Sequence, residues 1–74
     1  MKETDKELDI AYFISFCIEQ YKNLHRLSGE EVITLFEQYG VLPYLEENFE
    51  AFHTQGHQWI MEEIDEYISN RKKN

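Results

Sequence analysis

Leu27-Ser28-Gly29-Glu30-Glu31-Val32-Ile33-Thr34-Leu35-Phe36-Glu37-Gln38-Tyr39-Gly40 decides how this 74-residue chain folds. Ser28 and Glu31 form a capping box, in which the hydroxyl accepts an orphan amide of the first turn and the glutamate reaches back to the cap's own amide. Leu27 before the cap and Val32 after it are placed as a hydrophobic staple. Val32, Leu35, Phe36 and Tyr39 follow at i, i+3, i+4 and i+7, one apolar face of a short helix. Gly40 closes it, because glycine takes the left-handed position past a helix end without steric penalty. The stretch predicts a helix over 29–39.

Upstream, Thr4-Asp5-Lys6-Glu7 is a second capping box and predicts a helix over about 5–24. Ile10, Phe13, Ile14, Cys17, Tyr21 and Leu24 make a long apolar stripe, while Tyr12, Phe16 and Ile18 lie off it. A helix apolar around so much of its circumference is either central to the core or covers a partner with one side. The central position is the leading expectation. Asn23 to Arg26 reads as the polar turn that ends it.

Downstream, Val41-Leu42-Pro43 reads as a break, with Pro43 opening a third helix over 43–53 where its missing amide costs nothing. Leu42, Leu45, Phe49 and Phe52 keep the apolar spacing. Thr54 and Gly56 then offer a cap and a bend, and a fourth helix over 56–69 turns Ile60, Ile64, Tyr67 and Ile68 inward, flanked by Trp59 and Met61. The expected fold is all-α: one domain over 1–74, a compact bundle of four short helices, with 1–4 and 70–74 frayed at its ends.

The formal charge is −8, and its distribution is more telling than its size. Lys and Arg stand at positions 2, 6, 22, 26, 71, 72 and 73, so Leu27 to Asn70 carries no cation. The same span carries Glu30, Glu31, Glu37, Glu46, Glu47, Glu50, Glu62, Glu63, Asp65 and Glu66. Such a surface either merely keeps the chain soluble or repels phosphate backbones and attracts basic proteins. Helices near Leu24–Leu35 could imitate a helix-turn-helix reader, but that second helix holds Glu30, Glu31 and Glu37 and no Arg or Lys, which rules against a DNA groove.

No residue pattern for catalysis stands out. His53 and His57 are four apart, as metal ligands on one helical face would be, but Gly56 between them breaks the face and no third ligand is placed. Glu62, Glu63, Asp65 and Glu66 lie on the outer side of the last helix, without the burial that tunes a general acid or base. Cys17 lies within an apolar stripe, the place of an inert packing thiol, and one cysteine cannot staple the fold internally. With no membrane-length apolar run and a start unlike a signal peptide, the expected location is the cytoplasm. Neither a metal nor a cofactor is expected, and a membrane partner is not expected either.

Phe16-Cys17-Ile18-Glu19, Ser28-Gly29, Leu35-Phe36, Tyr39-Gly40-Val41, Tyr44-Leu45, His53-Thr54-Gln55-Gly56 and Ile64-Asp65-Glu66-Tyr67-Ile68 resemble the recurring marks of a family of short bacterial proteins, the domain-of-unknown-function family 3791. The likeness covers Ile10 to about Ile68. It implies a gene context, since relatives are often encoded beside a second uncharacterised protein similar to an ADP-ribosyltransferase, an arrangement that suggests toxin and antitoxin. It brings no catalytic residues to carry over.

Together these readings lead to an interaction protein without chemistry of its own, antitoxin-like, that binds and occludes a partner protein. Tyr12, Phe16, Tyr44, His53, His57 and Trp59 are the candidate contact residues, since exposed aromatics anchor interfaces; taken singly, core packing is the leading reading for each. A homodimeric structural domain without a ligand is the alternative. A metal-binding protein or enzyme using His53, His57 and the acids of Glu62–Glu66 is the remote third.

Overall fold

The computed structural model describes the backbone of residues 2–73 and the side chains of residues 5–73. Five helices follow in order: α1 (Lys2–His25), α2 (Gly29–Tyr39), α3 (Val41–Glu47), α4 (Phe49–Phe52) and α5 (His57–Lys72), with no strand among the described residues. The all-α bundle is as expected, with one element more and several boundaries moved. None of the helices is long and apolar enough to cross a membrane.

Around α2 the local chemistry holds residue by residue. The Glu31 amide donates to Ser28 Oγ at 3.1 Å and the Ser28 amide to Glu31 Oε1 at 2.8 Å. Gly40 sits at φ +70°, its amide turned back on the Phe36 and Glu37 carbonyls. Its own carbonyl takes the Tyr44 amide at 3.4 Å, so a single residue ends α2 and starts α3. The expected break at Val41-Leu42-Pro43 is therefore the first turn of α3. Pro43 is tolerated there because first-turn amides have no intrahelical partner, and Val41 is fully buried.

The expected helix over 43–53 is broken at Asn48, which lies at φ −107°, ψ 16°. Its side-chain Nδ2 and its backbone amide both donate to the Tyr44 carbonyl, at 2.8 and 3.2 Å. A side chain that satisfies a helix carbonyl locally competes with the ladder, and the chain re-enters as the single turn α4. Thr54 does not cap α5: its hydroxyl donates backward to the Ala51 carbonyl at 3.3 Å, and Gly56 occupies the cap position without a side-chain bond. α5 runs past the expected end at 69 to Lys72, where Arg71 and Lys72 suit the C-terminal dipole and the Arg71 guanidinium lies 4.9 Å from the Tyr67 ring centre. Position 74 lies outside the described residues.

α1 is helical from Lys2, before the Thr4–Glu7 box that was to start it; the Thr4 side chain lies outside the described residues. The box pattern is only four residues long and recurs inside helices, so it marks a boundary only where the preceding backbone is extended. α1 ends at His25. Arg26 takes a left-handed φ of +57°, and the Leu27 amide reaches back to the Lys22 carbonyl at 3.0 Å, the longer bond of a Schellman motif.

Arg26 and Gly40 thus hold the same left-handed backbone with different residues. For Arg26 that geometry costs about 1–2 kcal/mol, of which glycine's looser unfolded chain would take back about 0.5–1. Arg26→Gly is expected to raise stability by roughly 0.5–1 kcal/mol, a few degrees in thermal melting by circular dichroism. Gly40→Ala, where an added Cβ meets nothing within 4 Å, is expected to lower it by about 1 kcal/mol through backbone strain alone.

At 24 residues and ~1.5 Å per residue, α1 sets the long axis of a body 40 × 24 × 22 Å. It packs on α2, α3 and α5, the central position expected of it. Phe13, Cys17 and Tyr21 supply its buried face, one turn apart. Val32 and Phe36 come from α2, Val41 and Leu45 from α3, Phe49 and Phe52 from α4. α5 adds Ile60, Met61, Ile64 and Ile68, so Met61 is core rather than a flank. Leu24, expected in the α1 stripe, is 57% exposed, because the last turn of α1 runs beyond its cover.

Candidate functional site

A second face of α1 is uncovered. Leu8, Tyr12, Phe16 and Leu24 are among the few large apolar side chains left exposed, Tyr12 at 66% and Phe16 at 40%. They recur at four-residue spacing, with Gln20 in the one gap, so they form a ladder beside the buried Phe13–Cys17–Tyr21 stripe. α1 is apolar on two sides, and only the Phe13–Cys17–Tyr21 side is buried in the bundle.

Beside the ladder an open groove of about 640 Å³ runs between α1 and the α4–α5 joint. Tyr12, Phe13 and Phe16 form one wall, and Phe49, His53 and Ile60 the other. The joint wall is built locally: the His53 ring stacks on Phe49 at 4.4 Å and 12°, and its Nδ1–H donates to the Phe49 carbonyl at 2.7 Å. Phe49 in turn meets Phe13 edge-on at 5.5 Å. Asp5, Asp9 and Glu50 edge this groove, and Lys6 is the one Lys or Arg in its lining. Lys6 Nζ is held by Glu50 Oε2 at 2.9 Å, which lowers the Glu50 carboxyl's pKa through the hydrogen bond and charge of Lys6.

A second groove lies further along α1. Phe16 meets His57 edge-on at 6.3 Å, and past that pair the second groove, of about 490 Å³, runs between α1 and α5. Leu24 and Met61 supply its apolar lining, Glu62 and Asp65 its acids. Asp65 also ties the two helices together, its oxygens 3.0 and 3.2 Å from His25 Nε2, while the His25 ring lies 4.2 Å from that of Tyr21. The two hollows lie in line along α1, a crevice divided by the Phe16–His57 pair.

Of the six candidate contact residues, Tyr12, Phe16 and His53 line the first groove and His57 stands at the divide. Tyr44 and Trp59 lie elsewhere, each edge-on to Phe52 at 5.5 and 5.3 Å. Tyr44 is committed to the fold: it stacks on Tyr67 at 3.8 Å and 13°, and its hydroxyl donates to Glu63 Oε2 at 2.7 Å. Burial, then the Glu63 carboxylate, push its phenol well above the ordinary range. The acids of Glu62–Glu66 scatter, since neighbours on a helix point about 100° apart: Glu62 edges the second groove, Glu63 holds Tyr44 and Asp65 holds His25. Among the described residues no three of His, Cys, Asp and Glu come together as a metal site.

Sequence reading missed Leu8 and Leu24 as members of the uncovered ladder, although the spacing 8, 12, 16, 24 was there to see. It also missed the His25–Asp65 link, for which residues forty apart leave no local signal.

A compact five-helix bundle, acidic, with one uncovered aromatic helix face, defines the class of this protein. The family model described as "Protein of unknown function (DUF3791)" matches residues 12–71, and the chain belongs to that family. Comparison with curated proteins and with solved structures returns no match.

Proposed function

We propose that this protein acts by binding a partner protein and occluding it, in the manner of an antitoxin, with no chemistry of its own. The observation that supports this reading most is the uncovered ladder on α1, which lies beside grooves whose edges carry five carboxylates and a single lysine. Apolar contact would supply affinity, and the negative field would select a basic surface and speed encounter. A partner's cationic active-site cleft is the kind of surface such a shape covers, and the family resemblance points to the product of a neighbouring gene.

Co-expression with that product tests the idea. A stoichiometric complex is expected, with an affinity that falls at least about tenfold between ~0.05 and ~0.5 M salt as the charges are screened. No complex at the low-salt end overturns it, and a dimer of this chain alone in light scattering would favour the homodimer instead.

A further inference from the structure

We infer that the divided crevice along α1, facing the α4–α5 joint and then α5, is the docking site for a basic amphipathic helix of the partner, an assignment that rests on the reading above and gives it an address. From Asp5 to Leu24 the two hollows and the Phe16–His57 pair between them follow twenty residues of α1, about 28 Å at ~1.5 Å per residue, the length of a helix of about 18 residues. Tyr12 and Phe16 stand one turn apart at its middle and Leu24 two turns further on, a spacing that suits apolar residues at i, i+4 and i+7 or i+11 on the incoming helix.

Charge decides what kind of helix fits. Asp5, Asp9 and Glu50 edge one end, Glu62 and Asp65 the other; Glu50 already faces Lys6 and Asp65 faces His25, so Asp5, Asp9 and Glu62 are the acids left to meet incoming cations. Lys and Arg flanking an apolar stripe would meet these carboxylates on both sides. A second copy of the chain would not: a two-fold contact through this face brings the same acids against one another on a protein of charge −8. A nucleic acid is repelled for the same reason.

The full-length chain, labelled with ¹⁵N, can be titrated at low salt with two synthetic peptides of one composition, Leu, Ala and Lys over about 18 residues. In one the leucines follow the three-and-four spacing of a helix face; in the other they are scrambled. The patterned peptide is expected to bind at least about tenfold tighter, the scale of losing one or two anchor contacts. Its chemical-shift changes should centre on Tyr12, Phe16, Leu24 and His57. The double substitution Tyr12→Gln, Phe16→Gln should erase that preference, while Ile33→Gln, an equally exposed apolar residue on α2, should leave it intact. All three substituted positions are exposed, and circular dichroism verifies that the fold is kept.

Equal binding of the two peptides, shifts centred on α2 and α3, or a preference that survives the double substitution would overturn the crevice while leaving recognition by the acidic surface standing. No binding of either peptide would remove the docking site, while the partner-binding reading stands or falls on the co-expression result.

Discussion

Phe36→Ala is expected to cost about 3–5 kcal/mol, enough to leave the chain largely unfolded. A 74-residue domain has roughly 4–11 kcal/mol in total at the usual ~0.05–0.15 per residue, so one core aromatic is a large share. Phe36 is fully buried, and its ring meets Tyr21 edge-on at 5.2 Å. It is therefore the point where α2 seats against α1, and removing the ring leaves a void that two helices must close. Urea unfolding followed by circular dichroism should show the midpoint collapse, whereas Phe36→Leu, which keeps most of the volume, should lose only about 1–1.5 kcal/mol. A loss below about 1 kcal/mol for the alanine variant would show that α2 does not depend on this contact.

The second large effect is alkaline. Cys17 is fully buried, and burial pushes its thiol from an ordinary 9.0 up to about 12. At a pH near 8 the thiolate fraction then falls by about a thousandfold, and iodoacetamide should label the folded chain slower than the unfolded one by at least that factor. The same shift bears on stability. The folded state binds the proton more tightly than the unfolded state, so the contribution is complete below pH 9.0 and is lost as pH rises toward 12. Three units at ~1.36 kcal/mol each make the loss on the order of 4 kcal/mol. The Tyr21 phenol, raised by burial and then by Asp65, and the Tyr44 phenol act in the same sense above their ordinary 10.0. Circular dichroism against pH should therefore stay flat to about pH 9 and fall between there and 12, with the early part of the fall absent in Cys17→Ala.

What could be read from residues alone was whatever is decided within a few positions. The bounds of α2 are local chemistry, Ser28 with Glu31 at one end and Gly40 at the other, and they came out as written. Asn48 is local too, yet it sits in the polar run Glu46-Glu47-Asn48, where nothing marks that its side chain will take the Tyr44 carbonyl rather than face water. Met61 and Leu24 are harder still. Both lie on plausible helix faces, and only the placing of the neighbouring helix decides that one is covered and the other bare.

The candidate site divides in the same way. An α1 too apolar for one face left Tyr12 and Phe16 as candidates for exposure against a leading reading as core, and that His53 would stand across a groove from them depends on the stacked turn at Phe49. Tyr44 and Trp59 carry the same residue-type signal and are drawn instead to Phe52. Residue type nominates an anchor; the company it keeps decides.

The length of α1 has one more consequence. Asp5 to Asp9 are all exposed, and the Lys6–Glu50 pair that fastens this stretch joins two solvent-facing side chains, a tie worth little in water. Backbone hydrogen bonds in a segment with so few buried contacts open at a small fraction of the global unfolding free energy. The Asp5–Asp9 end of the first groove is thus built on turns that open more readily than the core-braced wall opposite. An occupant would have to still those turns as it settles, giving up some affinity to conformational entropy and gaining in exchange a protein whose first turns report, by their order, whether anything is bound.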